Sequence, residues 1–171
     1  NDGNGASSGH VRVYNYNGIS WKLIGKDIDG ESEGDGNSMT ISLSSNGTII
    51  AIGTSYKNAG GKAQAGRVKI YKYNGTKWNQ LGSNIDGDAV MGNSGRYISL
   101  SSDGKIVAVG AFSKSANGTQ SGQVRIYKYN GSTWVKLGSD LKVFGSLKPT
   151  CLDTVSNNRL VVSIKVEPVP V

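Results

Sequence analysis

The chain holds very little of the chemistry from which most active sites are made. It has one cysteine, Cys151, and one histidine, His10, so it can close no internal disulfide and offers no zinc-type ligand spacing. Serine is common, and Gly-x-Ser-x-Gly occurs at 5–9 and 30–34, but no long helical pattern follows either stretch as the strand-turn-helix of a nucleophile elbow requires. No apolar run approaches the roughly 20 residues that a membrane helix needs, and no signal-peptide pattern is present. Only three prolines interrupt the chain, against 25 glycines, and no long helical periodicity occurs, which suits short strands joined by tight turns. Acids are the scarcer charge, 12 Asp and Glu against 19 Lys and Arg, for a formal net charge of +7. A basic run would attract nucleic acid or anionic membranes. Instead Arg12, Lys69, Lys72, Lys77, Arg125, Lys128 and Lys136 are dispersed, as on a solvated surface, and no specific nucleic-acid partner is expected.

What the chain does have is repetition. Trp21, Trp78 and Trp134 stand 57 and 56 residues apart, within HVRVYNYNGISWKLIG, RVKIYKYNGTKWNQLG and QVRIYKYNGSTWVKLG. Between them, ISLSSNGTIIAIGT recurs 57 residues later as ISLSSDGKIVAVGA. A period near 50 made of strand signals points to stacked sheets, an architecture used more often for binding than for catalysis. The opening NDGNGASSGHVRVY matches the loop before the third copy and has no initiator Met, so the chain is expected to be a fragment or a processed product.

Val11 and Val13, with their counterparts Val68, Ile70, Val124 and Ile126, alternate with Arg12, Tyr14 and Tyr16 and their counterparts. This predicts strands with one aliphatic and one Tyr face, both gaining from burial. Asn-Gly at 17–18, 74–75 and 130–131 predicts hairpins with type I′ turns, which need positive φ at both central residues. In the other unit, Asn46-Gly47 and Asp103-Gly104 turn the chain into TIIAIG and KIVAVG. Ala51, Gly53, Ala108 and Gly110 there fit crowding near an axis. Four strands per period, a slim inner pair and an aromatic outer pair, predict an all-β, propeller-like array of four-stranded antiparallel blades.

The GNSMTISLSSNGTIIAIGTS and GNSGRYISLSSDGKIVAVGAF stretches, each followed by a Gly-x-Val-x-Ile/Val-Tyr strand, resemble FG-GAP repeats of the integrin α-subunit type over nearly the whole chain. Gly110-Ala111 keeps part of the Gly-Ala-Pro element, while Phe112 replaces the proline, Gly53-Thr54 loses the alanine and the Phe-Gly pair is absent. The resemblance implies strands C and D of one blade at 11–25, whole blades at 38–82 and 95–138, and degenerate strands A and B at 150–165. The family's acidic calcium loop has no counterpart, because Ser45-Asn46-Gly47 and Ser102-Asp103-Gly104 are too short to cage an ion. The half-blades at either end are complementary, so residues 160–164 could pair with 11–16. A dimer by half-blade exchange, or membership of a larger propeller, is expected over closure of three blades within one chain.

The segment 27–35 carries five acids in nine residues. Asp27, Asp29 and Glu31 alternate in the way a loop aims oxygens at Ca²⁺, with Asp35 as a fourth donor, although the full EF-hand pattern is absent. The other reading is a set of Asx turns. His10 gives way to Arg67 and Gln123 in the later copies, as expected of an exposed strand entrance. The repeated Tyr and Trp residues are expected to pack between blades rather than to stack sugars or bases. Sequons at Asn46, Asn74, Asn117 and Asn130 permit a secreted setting but coincide mostly with Asn-Gly turns.

Alternating strands place the long connections 27–37 and 84–94 beside 55–66 and 112–122 at one end, with the Asn-Gly turns at the other. These loops differ most between copies, so ligand contacts are expected there, at Asp29, Glu31, Asp35, Lys57, Asn58, Asp86, Asp88 and Lys114. The function expected is non-enzymatic: loops presented to a protein or glycan at a cell or particle surface, extracellularly. The alternatives are a purely structural array, or part of a propeller enzyme whose active site lies in other blades.

Overall fold

A computed structural model describes residues 4–114 and 120–144. The strands are β1 (His10–Val11), β2 (Tyr14–Tyr16), β3 (Trp21–Leu23), β4 (Ile28–Asp29), β5 (Met39–Leu43), β6 (Ile49–Thr54), β7 (Arg67–Tyr73), β8 (Trp78–Gln80), β9 (Ile85–Asp86), β10 (Tyr97–Leu100), β11 (Ile106–Lys114), β12 (Gln120–Tyr129) and β13 (Trp134–Phe144). The one helical element among the described residues is a 3-10 turn at Asp35–Ser38. None of these elements is a helix long and apolar enough to cross a membrane.

All pairing between strands is antiparallel. β5-β6-β7-β8 form one meander, with β9 also on β7, and β10-β11-β12-β13 form a second. The first copy is a hairpin, β2 on β3 and β1 on β4, joined across its break by Ile24 N–H to the Val13 carbonyl at 2.9 Å. The same link, Leu81 N–H to Ile70 O at 2.7 Å, ties the break between β8 and β9 to β7 in the next copy. The fold is all-β, and none of these sheets closes on itself. The segment 150–165, with its expected strands A and B, lies outside the described residues.

The sheets bury side chains against one another. Ile50 and Ile52 face the first hairpin, where Val11, Val13 and Ile28 meet them; Ile49 and Ala51 face the other way, with Val68, Ile70, Leu100, Val107, Val109 and Trp134. Strand β6 is therefore buried on both faces, as its unbroken apolar run predicts. Full burial of Val68 or Ile70 contributes about 1.5–3 kcal/mol each. Where the first hairpin lacks inner strands among the described residues, Ile41 and Leu43 stay exposed, whereas their counterparts Ile98 and Leu100 are covered by the preceding sheet.

Each seam between sheets is also stitched by polar atoms. Trp78 Nε1–H donates to the Ile24 carbonyl at 3.0 Å, and Trp134 Nε1–H donates to that of Leu81 at 2.8 Å. The next residue must be glycine. A Cβ on Gly25 would lie 2.8 Å from the Trp78 ring, one on Gly82 would lie 3.0 Å from that of Trp134, and both glycines have φ near +75°. The inner strands meet through small hydroxyls: Thr40 Oγ1 donates to Gly95 O at 2.7 Å, and Ser42 Oγ accepts from Leu100 N–H at 2.9 Å.

The Asn-Gly turns differ from expectation. Four residues separate the paired Tyr16 and Trp21, and only the glycines of the three turns, Gly18, Gly75 and Gly131, have positive φ. The reason is the Asn side chain. Asn74 Oδ1 accepts the N–H groups of Thr76 and Lys77, an Asx arrangement that caps a wider loop than type I′ provides. His10 also departs from its expected exposure: it is half-buried on β1, opposite Asp29, and its buried Nδ1 has no hydrogen-bond partner among the described residues.

Candidate functional site

The long connections gather at one end of the sheets. Gly87 N–H donates to Gly66 O at 2.8 Å and Asn93 N–H to Gln64 O at 3.0 Å, with the same contacts one repeat earlier from Gly30 to Gly9 and from Gly36 to Ser7. The approach is so close that a Cβ on Gly30 or Gly87 would sit 1.9 Å from the carbonyl of Ser8 or Ala65. On this repeated backbone base stand the unrepeated side chains. Lys57 lies near the start of β7, its carbonyl accepting from Gly66 N–H, while Asn74 follows the other end of that strand. Loops and Asn-Gly turns are thus at opposite ends.

The acids of this end are mostly engaged with cations. Asp35 is buried, accepts from Glu31 N–H at 2.9 Å and Ser32 N–H at 3.1 Å, and pairs with Lys57 Nζ at 2.9 Å. This ties the loop 27–37 to the loop 55–66. Glu31 reaches across the seam to Lys69 and to Arg67 Nη1 at 3.4 Å. Asp88 makes the matching reach one repeat later, to Arg125 Nη2 at 2.6 Å. Asp86 is held by Arg67 within its own sheet, and Asp27 is gripped by the Arg12 guanidinium at 2.8–3.0 Å.

These contacts set the charge states. Partial burial pushes the Glu31 carboxyl upward, but the Lys69 hydrogen bond and the charges of Lys69, Lys57 and Arg67 outweigh it and leave the pKa below the usual value. The Arg12 hydrogen bond holds Asp27 low, and the Lys136 hydrogen bond, helped by Arg125, does the same for Asp140. All three carboxylates are ionised at neutral pH and already neutralised by protein cations.

For the calcium expectation, the structure places Asp27, Asp29 and Glu31 along one extended stretch and directs Asp27 and Glu31 to different cations. Among the described residues no group of three or more His, Cys, Asp or Glu side chains comes together as a metal cage. Of the expected ligand-contact residues, Asp29, Asn58 and Asp88 are exposed, Glu31 is exposed but bridges a seam, and Asp35 and Lys57 brace loops. Lys114 ends β11.

A concavity at this end lies between the two braced loops and is lined by Ser32, Glu33, Gly34, Asp35, Asn37, Tyr56, Lys57 and Asn58. Tyr56 also borders an adjoining groove with Ser38, Ser55, Arg96 and Tyr97, and its hydroxyl accepts from Arg96 Nη1 at 3.4 Å. It is 46% exposed. An exposed aromatic ring flanked by amides, a carboxylate and a guanidinium can stack and hydrogen-bond a polar ligand. Tyr56, Asn37 and Arg96 were missed in the sequence. The available signal was that Tyr56 is an aromatic in a loop with Ser113 at the matching position, outside the repeated Tyr pattern. A scan against protein families and a search of curated proteins return no match to this chain.

Proposed function

We propose that the chain is a non-enzymatic set of β-propeller blades, similar to FG-GAP repeats, that binds a protein or glycan at a cell or particle surface through its loop end. The observation that carries this reading is the layering of that end: a repeated backbone base bears a Tyr56-centred groove whose outer side chains do not repeat. Repetition accounts for packing, and what fails to repeat yet is braced in place is free to serve recognition. The sheets stack face to face with slim inner strands and aromatic outer ones, which supports a propeller arrangement. Calcium at Asp27, Asp29 and Glu31 would require breaking ion pairs and is the weaker expectation.

The test is binding of the purified chain to a glycan array and to a panel of extracellular-matrix proteins. Binding that is lost in Tyr56→Ala and Asn58→Ala and retained in Lys77→Ala, at the turn end, supports the reading. Binding lost only at the turn end, or none to any probe, contradicts it.

A further inference from the structure

The three tryptophan hairpins share the same ring pairing and the same hydroxyl bond. Tyr16–Trp21, Tyr73–Trp78 and Tyr129–Trp134 hold ring centroids 5.2, 5.3 and 5.4 Å apart at 42–45°. Each tyrosine hydroxyl donates to its turn glycine's carbonyl, at 3.0, 2.7 and 2.8 Å. They differ in what lies beyond. Trp78 and Trp134 each close on a Leu/Ile-Gly step of the preceding sheet, and Trp134 is only 7% exposed. Trp21 is 69% exposed, with Tyr16 beside it also exposed. The clamp is preformed without its occupant, so little side-chain freedom remains to be lost on binding.

The complementary step is present at the other end of the array. Leu137-Gly138 follows Trp134 as Ile24-Gly25 follows Trp21. Gly138 has φ +65°, matching the +74° and +75° of the two clamped glycines, and no described atom would stand within 4 Å of a Cβ there. Leu137 is exposed. One chain therefore carries both halves of a contact that it already makes twice internally, and the two halves do not meet each other.

We infer that Trp21 and Tyr16 dock on the Leu137-Gly138 step of a second copy of this chain, with the Trp21 indole N–H donating to the Leu137 carbonyl. The contact is head to tail, so it propagates until the rotation closes a ring. It does not depend on the loop-end ligand. The ionic bridge of the internal seams has no counterpart here, because Phe144 occupies the position of Glu31 and Asp88. The docking is consequently apolar and persists at high salt.

Sedimentation equilibrium of the full chain tests this. The wild type is expected to gain mass with concentration, equally in 0.1 and 1 M salt, while Trp21→Ala and Gly138→Asn each weaken association by about tenfold or more. Asn tolerates left-handed φ, so Gly138→Asn blocks the landing site without breaking the turn. The decisive arm mixes the two variants: each keeps the half that the other lacks, so together they form a 1:1 dimer that does not grow. A wild type monomeric throughout overturns the inference. So does association unchanged in either variant, or a mixture that stays monomeric.

Discussion

The two ends of the sheets are built on different principles. At the turn end every copy repeats one set of bonds: an Asn Oδ1 accepting two N–H groups and a Tyr hydroxyl donating to the turn glycine. At the loop end the backbone braces and the seam pair repeat, Glu31 with Lys69 and then Asp88 with Arg125, but the buried brace of Lys57 on Asp35 changes, since Met91 and Gly92 fill the corresponding place in the next connection. The difference separates roles. What is identical in each copy serves stacking, and what varies on a rigid base is available for recognition.

The largest expected effect lies in the seams that both ends share. Trp134→Ala should destabilise by about 3–5 kcal/mol, through lost burial and an orphaned Leu81 carbonyl, whereas Trp21→Ala in dilute solution should stay within about 0.5 kcal/mol. Denaturant titration checks both. Equal effects would mean that the two tryptophans do not differ in their surroundings.

Asp35→Ala sharpens the loop side of the comparison. It leaves two backbone N–H groups and the largely buried Lys57 short of a partner, and should cost about 2–3 kcal/mol by thermal or chemical unfolding. At the turn end, Asn74→Ala removes an acceptor from exposed N–H groups that water can replace. It should cost about 1 kcal/mol.

Acid should loosen the ion pairs of the loop end. Asp27, Glu31 and Asp140 titrate lower folded than unfolded, so the unfolded chain binds more protons in that range. Their contribution is present above the ordinary values of 4.5 for Glu and 3.8 for Asp. It is lost as pH falls from those values through the folded ones. A denaturation midpoint flat between pH 5 and 3 would contradict this.

Much of the architecture was legible because the signals were local. Alternation in Val11, Val13, Val68 and Ile70 and the double-faced run at 49–52 read directly as strands, and the repeat period grouped them into four-stranded units. The turn type was not legible, since Asn-Gly is common to a type I′ pair and to a four-residue Asx loop, and the choice depends on how many residues follow before pairing resumes. The acids at 27–35 admitted both an ion-binding loop and a set of Asx turns, because a sequence cannot show Lys69 and Arg67, some 36–38 residues away, crossing a seam to Glu31. Tyr56 was hidden by its lack of any periodic context.

The seam is the central claim, and the exchange of the three indole N–H protons in a ¹⁵N-labelled sample measures it most directly. At a dilution where the chain is monomeric, two indole protons, from Trp78 and Trp134, should be protected by the Ile24 and Leu81 carbonyls, and the third, from Trp21, should exchange freely with water. Three equal exchange rates, or a protected Trp21 beside an open Trp78, would contradict the account.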